Sequence, residues 1–196
     1  MYSDNVTWPG TYVIIPGWYY TQYGDKRLIA RHYPHMKQWI AHMSQYIDER
    51  GLMPRDQYGD WCVPPEDPEL IHSKDPARKT EPELLGTTYF YHHLRLMASY
   101  ARLLGNEAGA DEFAARARKM CAAFNAAFWN EDAGVYGKGT QTGQVLPLYF
   151  GMVPQPRRAR VVNALVDSIM EDNDGHLATG LVGGQVGAWP VKGGRF

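Results

Sequence analysis

The run Gln57-Tyr58-Gly59-Asp60-Trp61-Cys62-Val63-Pro64-Pro65 sets an indole directly after a carboxylate, in a polar stretch between two helical patterns. An indole face stacks on the apolar C–H face of a pyranose. A carboxylate accepts hydrogen bonds from vicinal hydroxyls. Side by side, the two groups suit a sugar-binding cleft. A Trp that only plugs a loop onto the core gives the same tripeptide, as does an Asp that only bonds turn amides.

Other chemistry-bearing residues carry less. Glu66, Asp67, Glu69, Glu81 and Glu83 cluster near the same stretch. A pair of them could do acid–base work, but solvated or helix-capping carboxylates are the plainer expectation. His92 and His93 are helix neighbours whose side chains point apart. His72 and His176 have no ligand partners at zinc spacing. Gly183-Gly184 lacks the strand and Lys of a phosphate cradle. No metal and no cofactor are therefore expected.

Composition narrows the class further. The chain has 196 residues, 44% hydrophobic, with a net charge of −1. That suits one soluble globular domain, 1–196, with a sizeable core. Neither sign of charge dominates and no basic run appears, which argues against nucleic acid. No apolar run reaches the length of a membrane span, and nothing at the N-terminus reads as a leader peptide. Cys62 and Cys121 form neither a disulfide framework nor a zinc pattern, and they do not indicate a compartment.

The elements that must position these groups read as helices. Thr11 to Tyr23 is an apolar helix interrupted by Pro16, although Tyr12 to Ile15 alone could be a strand. Gly24 is its C′ residue and Asp25 the next N-cap. Lys26 to Arg50 is helical, with Met36, Trp39, Ile40, Met43 and Ile47 on one face and Pro34 a candidate break. Gly51 to Thr80 holds five prolines and no regular period. A loop of roughly 30 residues is usually functional or disordered, and its apolar residues, Leu70 and Ile71 among them, argue for an ordered one. Thr80 with Glu83 reads as a capping box for a helix running to about Leu104. Ala110 or Asp111 to Trp129 is a clear amphipathic helix, with Phe113, Ala117, Met120, Phe124 and Phe128 inward. A short extended piece at Val135-Tyr136 precedes helices over Thr140–Phe150 and Pro156–Met170. From Gly175 on the period is lost. The expected architecture is all-α, built of antiparallel helix pairs joined by short Gly turns. Such an array closes into an α/α toroid or continues as an open solenoid, and no fixed repeat period emerges.

Four blocks stand in one order. The first is Trp8-Pro9-Gly10-Thr11-Tyr12-Val13-Ile14-Ile15-Pro16-Gly17 with Tyr23-Gly24-Asp25 and His32-Tyr33-Pro34. The second runs from Tyr58 to Pro65 and on through Pro68 to Lys74. The third is Gln141-Thr142-Gly143 through Leu146 to Pro154, and the fourth Gly175-His176-Leu177-Ala178-Thr179-Gly180. In this order and spacing they resemble the six-hairpin catalytic domain of bacterial α-L-rhamnosidases, glycoside hydrolase family 78. The resemblance covers about Asp4 to Gln185. It implies a partial (α/α)6 barrel and, as partner, a rhamnose-containing glycoside hydrolysed with inversion. Inversion needs two carboxyl groups about 6.5–9.5 Å apart. The family's general acid lies upstream of the segment matching Trp8, and its base downstream of the one matching Thr179-Gly180. Neither is assigned in this chain. The resemblance does place Trp8 and Trp61 in the rhamnose pocket wall, with Asp60 as a polar contact or a loop-fixing hydrogen bond.

Residues 186–196, with Pro190 and three glycines, depart from the apolar helix that the resemblance implies there. A truncation or a shift of reading frame would each give such a tail. About half of twelve helices are legible, so the edge helices are expected to bare apolar faces and the chain to self-associate. The alternative to a rhamnosidase fragment lacking its acid and base is a non-catalytic helical module. It would bind carbohydrate or a protein partner.

Overall fold

The computed structural model describes residues 4–64 and 79–187. The expectations for Glu66, Asp67, Glu69, Leu70, Ile71 and His72, and for 188–196 of the tail, lie outside the described residues. The regular elements of the described residues are helices and one hairpin of two-residue strands: α1 (Thr11–Tyr23), α2 (Arg27–Ser44), α3 (Pro82–Leu103), α4 (Glu107–Phe128), β1 (Trp129–Asn130), β2 (Val135–Tyr136), α5 (Gln141–Tyr149), α6 (Gln155–Asp167) and α7 (Leu181–Gly187). A π-helical turn, Ser168–Asp172, extends α6.

Consecutive helices pair because their links are too short to do otherwise. Helix α3 has 22 residues and is about 33 Å long at 1.5 Å per residue. Three linking residues reach about 10 Å at most, so α4 must return antiparallel along α3. Gly24 ends α1 with a left-handed φ of 66°, as the Tyr-Gly-Asp signal predicts. The pairs are α1–α2, α3–α4 and α5–α6. Helices α1, α3, α5 and α7 also touch in a row, each packing on the next.

Several ends differ from the sequence reading. Helix α2 passes through Pro34 and stops at Ser44 rather than Arg50. The cause is Asp48, whose carboxylate takes the amides of Arg50 (3.0 Å) and Leu52 (2.9 Å) and so offers the backbone a turn. The capping box at Thr80 does not form. Glu81 is the N-cap of α3 without a side-chain cap bond. The Thr80 hydroxyl instead faces the Thr140 hydroxyl at 2.7 Å, and Glu83 pairs with Arg50. Helix α4 starts at Glu107, before the expected Ala110, because Asn106 caps it through the Gly109 amide at 3.0 Å. Helix α7 stands where no period is legible.

The core centres on α3, with fifteen of its 22 residues buried. A helix covered on nearly every side needs neighbours on nearly every side, and α1, α2, α4 and α5 supply them. Phe90, Leu84, Leu85 and Leu94 of α3 join Met36 and Ile40 of α2, Phe124 of α4 and Tyr136 in one apolar cluster. Two faces remain bare among the described residues. On α1, Tyr12, Ile15, Trp18, Tyr19 and Tyr23 are exposed. Toward the other edge, Val162, Val166, Met170, Leu177 and Leu181 are exposed. No described helix is long and apolar enough to cross a membrane.

Gly86 of α3 lies against the Met53 carbonyl, where an added methyl would overlap backbone. Gly86→Ala is expected to destabilise the fold by about 1–3 kcal/mol through overpacking, read as a lowered urea midpoint with unchanged slope. An unchanged midpoint would show that the 52–64 segment does not pack on α3 as described.

Candidate functional site

The segments leading into α1, α3, α5 and α7 are joined to one another by hydrogen bonds. Val6 N donates to the Arg55 carbonyl at 3.0 Å, and Leu181 N to the Trp61 carbonyl at 2.7 Å. The two threonines before α3 and α5 meet as described above.

Trp8 sits in the turn that starts α1. Gly10 N donates to Val6 O at 3.2 Å and Thr11 N to Trp8 O at 3.2 Å. The indole is 41% exposed. Trp61, on the loop before α3, is exposed to the same 41%. Neither indole is a dry core plug. The residue after it, Cys62, holds a left-handed φ of 62°. That costs a side-chain-bearing residue about 1–2 kcal/mol unless its surroundings hold it there.

Asp56 ties the two tryptophan segments together. Its Oδ1 accepts from Asn5 Nδ2 at 3.0 Å and from Gly59 N at 3.3 Å. The Thr7 hydroxyl is shared between Asn5 Oδ1 at 3.0 Å and Asp56 Oδ1 at 3.3 Å. Asn5 Oδ1 also accepts from Trp8 N at 3.4 Å. One buried carboxylate thus fixes the residues just before Trp8 against those just before Trp61. Sequence reasoning missed it. Its signal was the pairing of Asp56 with Gly59, an Asp able to bond an amide three residues on, at a glycine with φ 68°.

Asp60 is buried to 1% exposure. Its Oδ2 accepts from Thr142 Oγ1 and from Gly180 N, the latter at 2.8 Å. Its Oδ1 accepts from Val182 N at 2.9 Å and Gly183 N at 3.0 Å. These bonds run from the loop before α3 to the start of α5 and the start of α7. Gly180 allows the approach, since a Cβ there would fall 2.7 Å from the Asp60 carbonyl oxygen. Thr142 went unnoticed as a site residue because its sequence block reads simply as a helix start.

Burial dominates the electrostatics of this junction. Desolvation raises the Asp56 carboxyl pKa against its hydrogen bonds from Asn5, Gly59 and Thr7, and among the described residues Asp56 Oδ2 is buried without a hydrogen-bond partner. Tyr89 is raised by burial first and then by the charges of Asp60 and Asp56. Burial, and then His92, holds His93 well below the usual imidazole value. Its ring meets Trp39 edge-on at 5.3 Å. His92 is pushed down to about 3 by burial and then by Arg95, and its ring stacks on Phe150 at 4.4 Å. Asp4, bonded by His42 at 2.8 Å and Tyr46 at 2.9 Å, is held below the usual carboxylate range. Among the described residues no group of three or more His, Cys, Asp or Glu could hold a metal ion. A groove of about 750 Å³ opens along α3 and α4, between Arg95, Ser99, Arg118 and Asn125, and neither tryptophan lines it.

Comparison with known proteins gives one consistent result. Residues 1–188 match the profile of the bacterial alpha-L-rhamnosidase 6 hairpin glycosidase domain. An alpha-L-rhamnosidase of Formosa agariphila is 32% identical over 180 residues, covering 91% of this chain and 18% of that protein. One from Alteromonas sp. is 31% identical over 178 residues, covering 90% and 19%. Among solved structures, alpha-L-rhamnosidase from Dictyoglumus thermophilum superposes with a TM-score of 0.83 at 30% identity, over 93% of this chain and 20% of that one. The Streptomyces avermitilis alpha-L-rhamnosidase complexed with L-rhamnose superposes at 0.81 with 28% identity, over 93% and 16%. The chain spans less than a fifth of the length of these curated relatives.

Asp56 generates a pH dependence of stability. A carboxyl whose pKa is raised on folding stabilises the fold fully below its unfolded pKa, and that contribution is lost as pH rises through the folded value. Asp56→Asn imitates the neutral acid and does not titrate. Wild type is therefore expected to lose stability relative to Asp56→Asn as pH climbs from the ordinary carboxylate range through the raised one. Urea titrations of both chains between about pH 3.5 and 7 measure this. A difference that stays flat or reverses would contradict it.

Proposed function

The chain belongs to the bacterial α-L-rhamnosidase six-hairpin glycosidase family, and we propose that it supplies one wall of the rhamnose pocket, with Trp8 and Trp61 stacking on the sugar. The observation that carries this reading is the junction at Asp56. It holds two half-exposed indoles, far apart in sequence, on segments that are hydrogen-bonded to each other. Core tryptophans would be buried, and unrelated surface tryptophans would have no reason to share a buried anchor. Asp60 supports Trp61 from behind through its bonds into α5 and α7. The substrate class is a rhamnose-containing glycoside, in keeping with relatives named alpha-L-rhamnosidase.

Hydrolysis itself belongs to other carboxylates. Inverting hydrolysis needs one acid to protonate the leaving oxygen and one base to activate water. Asp4, Asp56 and Asp60, the described acids nearest the two indoles in sequence, are each engaged in bonds within the chain. The general acid and base are therefore proposed to lie outside this chain. The described hairpins amount to roughly half of an (α/α)6 barrel. On its own the chain is proposed to cover its bare α1 and α6 faces by self-association, since exposed apolar surfaces of this kind mark interfaces. A non-catalytic carbohydrate-binding module is the second reading. It shares the wall and differs only in having no catalytic partner segment.

L-rhamnose is expected to change the tryptophan fluorescence of the purified chain saturably. Trp61→Ala should weaken the affinity about tenfold, the equivalent of about 1.4 kcal/mol. A chain that does not respond, or a Trp61→Ala chain that responds like wild type, would sink the pocket reading. An aryl α-L-rhamnoside should turn over no faster with the chain than in buffer. Turnover abolished by changing one of the chain's own carboxylates would refute the assignment of acid and base elsewhere. Light scattering at micromolar concentration is expected to give more than the monomer mass of 22.2 kDa, and a stable soluble monomer would count against self-association.

A further inference from the structure

We infer that Thr142 is a positioning residue for the sugar wall, acting through Asp60 on Trp61, and that occupancy of the wall and ordering of α7 are coupled. The inference rests on the proposed sugar site for its functional half, and on the Asp60 geometry alone for its structural half.

The coupling follows from how the carboxylate is filled. An ionised Asp offers two oxygens and about four acceptor directions. Among the described residues Asp60 has at least four donors on them, two on each oxygen: the Thr142 hydroxyl and Gly180 N on one, Val182 N and Gly183 N on the other. Three of the four are backbone amides at the first turn of α7, where a helix has no partners of its own for them. The fourth, from Thr142, is a side-chain bond to α5, itself buried at 1% exposure. That hydroxyl fixes which way Oδ2 faces and thereby where the α7 amides can dock. Gly183 takes part as well, because a side chain there would run into the Thr142 hydroxyl.

Trp61 shares this arrangement through its backbone. Its carbonyl accepts the Leu181 amide at 2.7 Å, so the peptide following the indole is pinned by α7. The peptide before it belongs to Asp60. On the far side Cys62 is held left-handed. The indole therefore keeps its direction only while α7 is docked. Any sugar that prefers this direction must stabilise the docked helix by the same factor by which the docked helix favours the sugar.

The test uses Thr142→Val, which keeps the branched shape and loses the hydroxyl, against Thr142→Ser, which keeps the hydroxyl and loses a methyl. A packing role ranks Val above Ser. A hydrogen-bonding role ranks Ser above Val. Without ligand, the amides of Gly180, Val182 and Gly183 should exchange about tenfold faster or more in Thr142→Val, the loss expected for one hydrogen bond to a charged group. Acrylamide quenching of the Trp61 contribution, isolated by difference from Trp61→Phe, should rise with it. Thr142→Ser should match wild type in both. A Val chain indistinguishable from wild type, or a Ser chain that exchanges faster than the Val chain, overturns the positioning role. Should the Val chain not fold, the Ser chain still decides, since accelerated exchange there contradicts a role for the hydroxyl.

In the unmodified chain, saturating L-rhamnose should slow exchange at the same three amides. Fluorescence binding without slower exchange overturns the coupling. A complete lack of rhamnose binding overturns the sugar wall and the coupling together, while the ligand-free comparison of Val and Ser still decides the role of Thr142.

Discussion

A carboxylate buried among helices must have its acceptor capacity filled, because an unpaired buried charge is among the costliest features a fold can carry. Asp60 meets this demand by drawing three separate parts of the chain to itself. The loop before α3 supplies the carboxylate, α5 a hydroxyl and the start of α7 three amides. None of these can shift independently. A short helix of seven residues with three glycines would have little stability in isolation. It is ordered here because its first turn is capped by a residue more than a hundred positions earlier. The loop gains the same benefit in return, since α7 pins the Trp61 carbonyl.

Asp56 does the corresponding work on the opposite side of the same loop. It joins the segment before Trp8 to the segment before Trp61, so two buried acids four residues apart divide the task of joining these segments. Their environments differ in one respect. Asp60 has donors on both oxygens, whereas among the described residues Asp56 has them on Oδ1. Burial raises the Asp56 carboxyl pKa toward the neutral acid.

Beneath this junction, α3 supplies the rigidity. Its residues are buried on several faces because α1, α2, α4 and α5 all pack on it, and its long apolar body fixes where the hairpins start. Tyr100 near its far end donates to the Val13 carbonyl of α1 at 2.8 Å, tying the first hairpin to the second at depth. A junction built from loops can hold an indole in one direction only if the helices below it do not slide. The aromatic packing of Phe90, Phe124 and Tyr136 resists sliding because interdigitated rings have no low-energy intermediate position. The bare faces of α1 and α6 show the limit of what these hairpins can bury by themselves.

The helices were legible because their signals are local. Apolar periodicity and the Gly24 stop each depend on neighbours within a few residues, and α1 to α6 stand close to where those patterns put them. The all-α class was available for the same reason, and the family resemblance added an ordering of motifs that no single motif carried. Helix ends were less legible. Asp48, Glu83 and Thr80 each had two partners to choose from, and the choice between a capping box and the actual pairings with Arg50 and Thr140 was made across hairpins. Helix α7, the role of Thr142 and the long-range bonds of Asp56 were not readable at all. Their bonds join residues 49 to 123 positions apart. Such a bond leaves no periodic trace, since its strength depends on where packed helices bring the chain and not on what stands next to it.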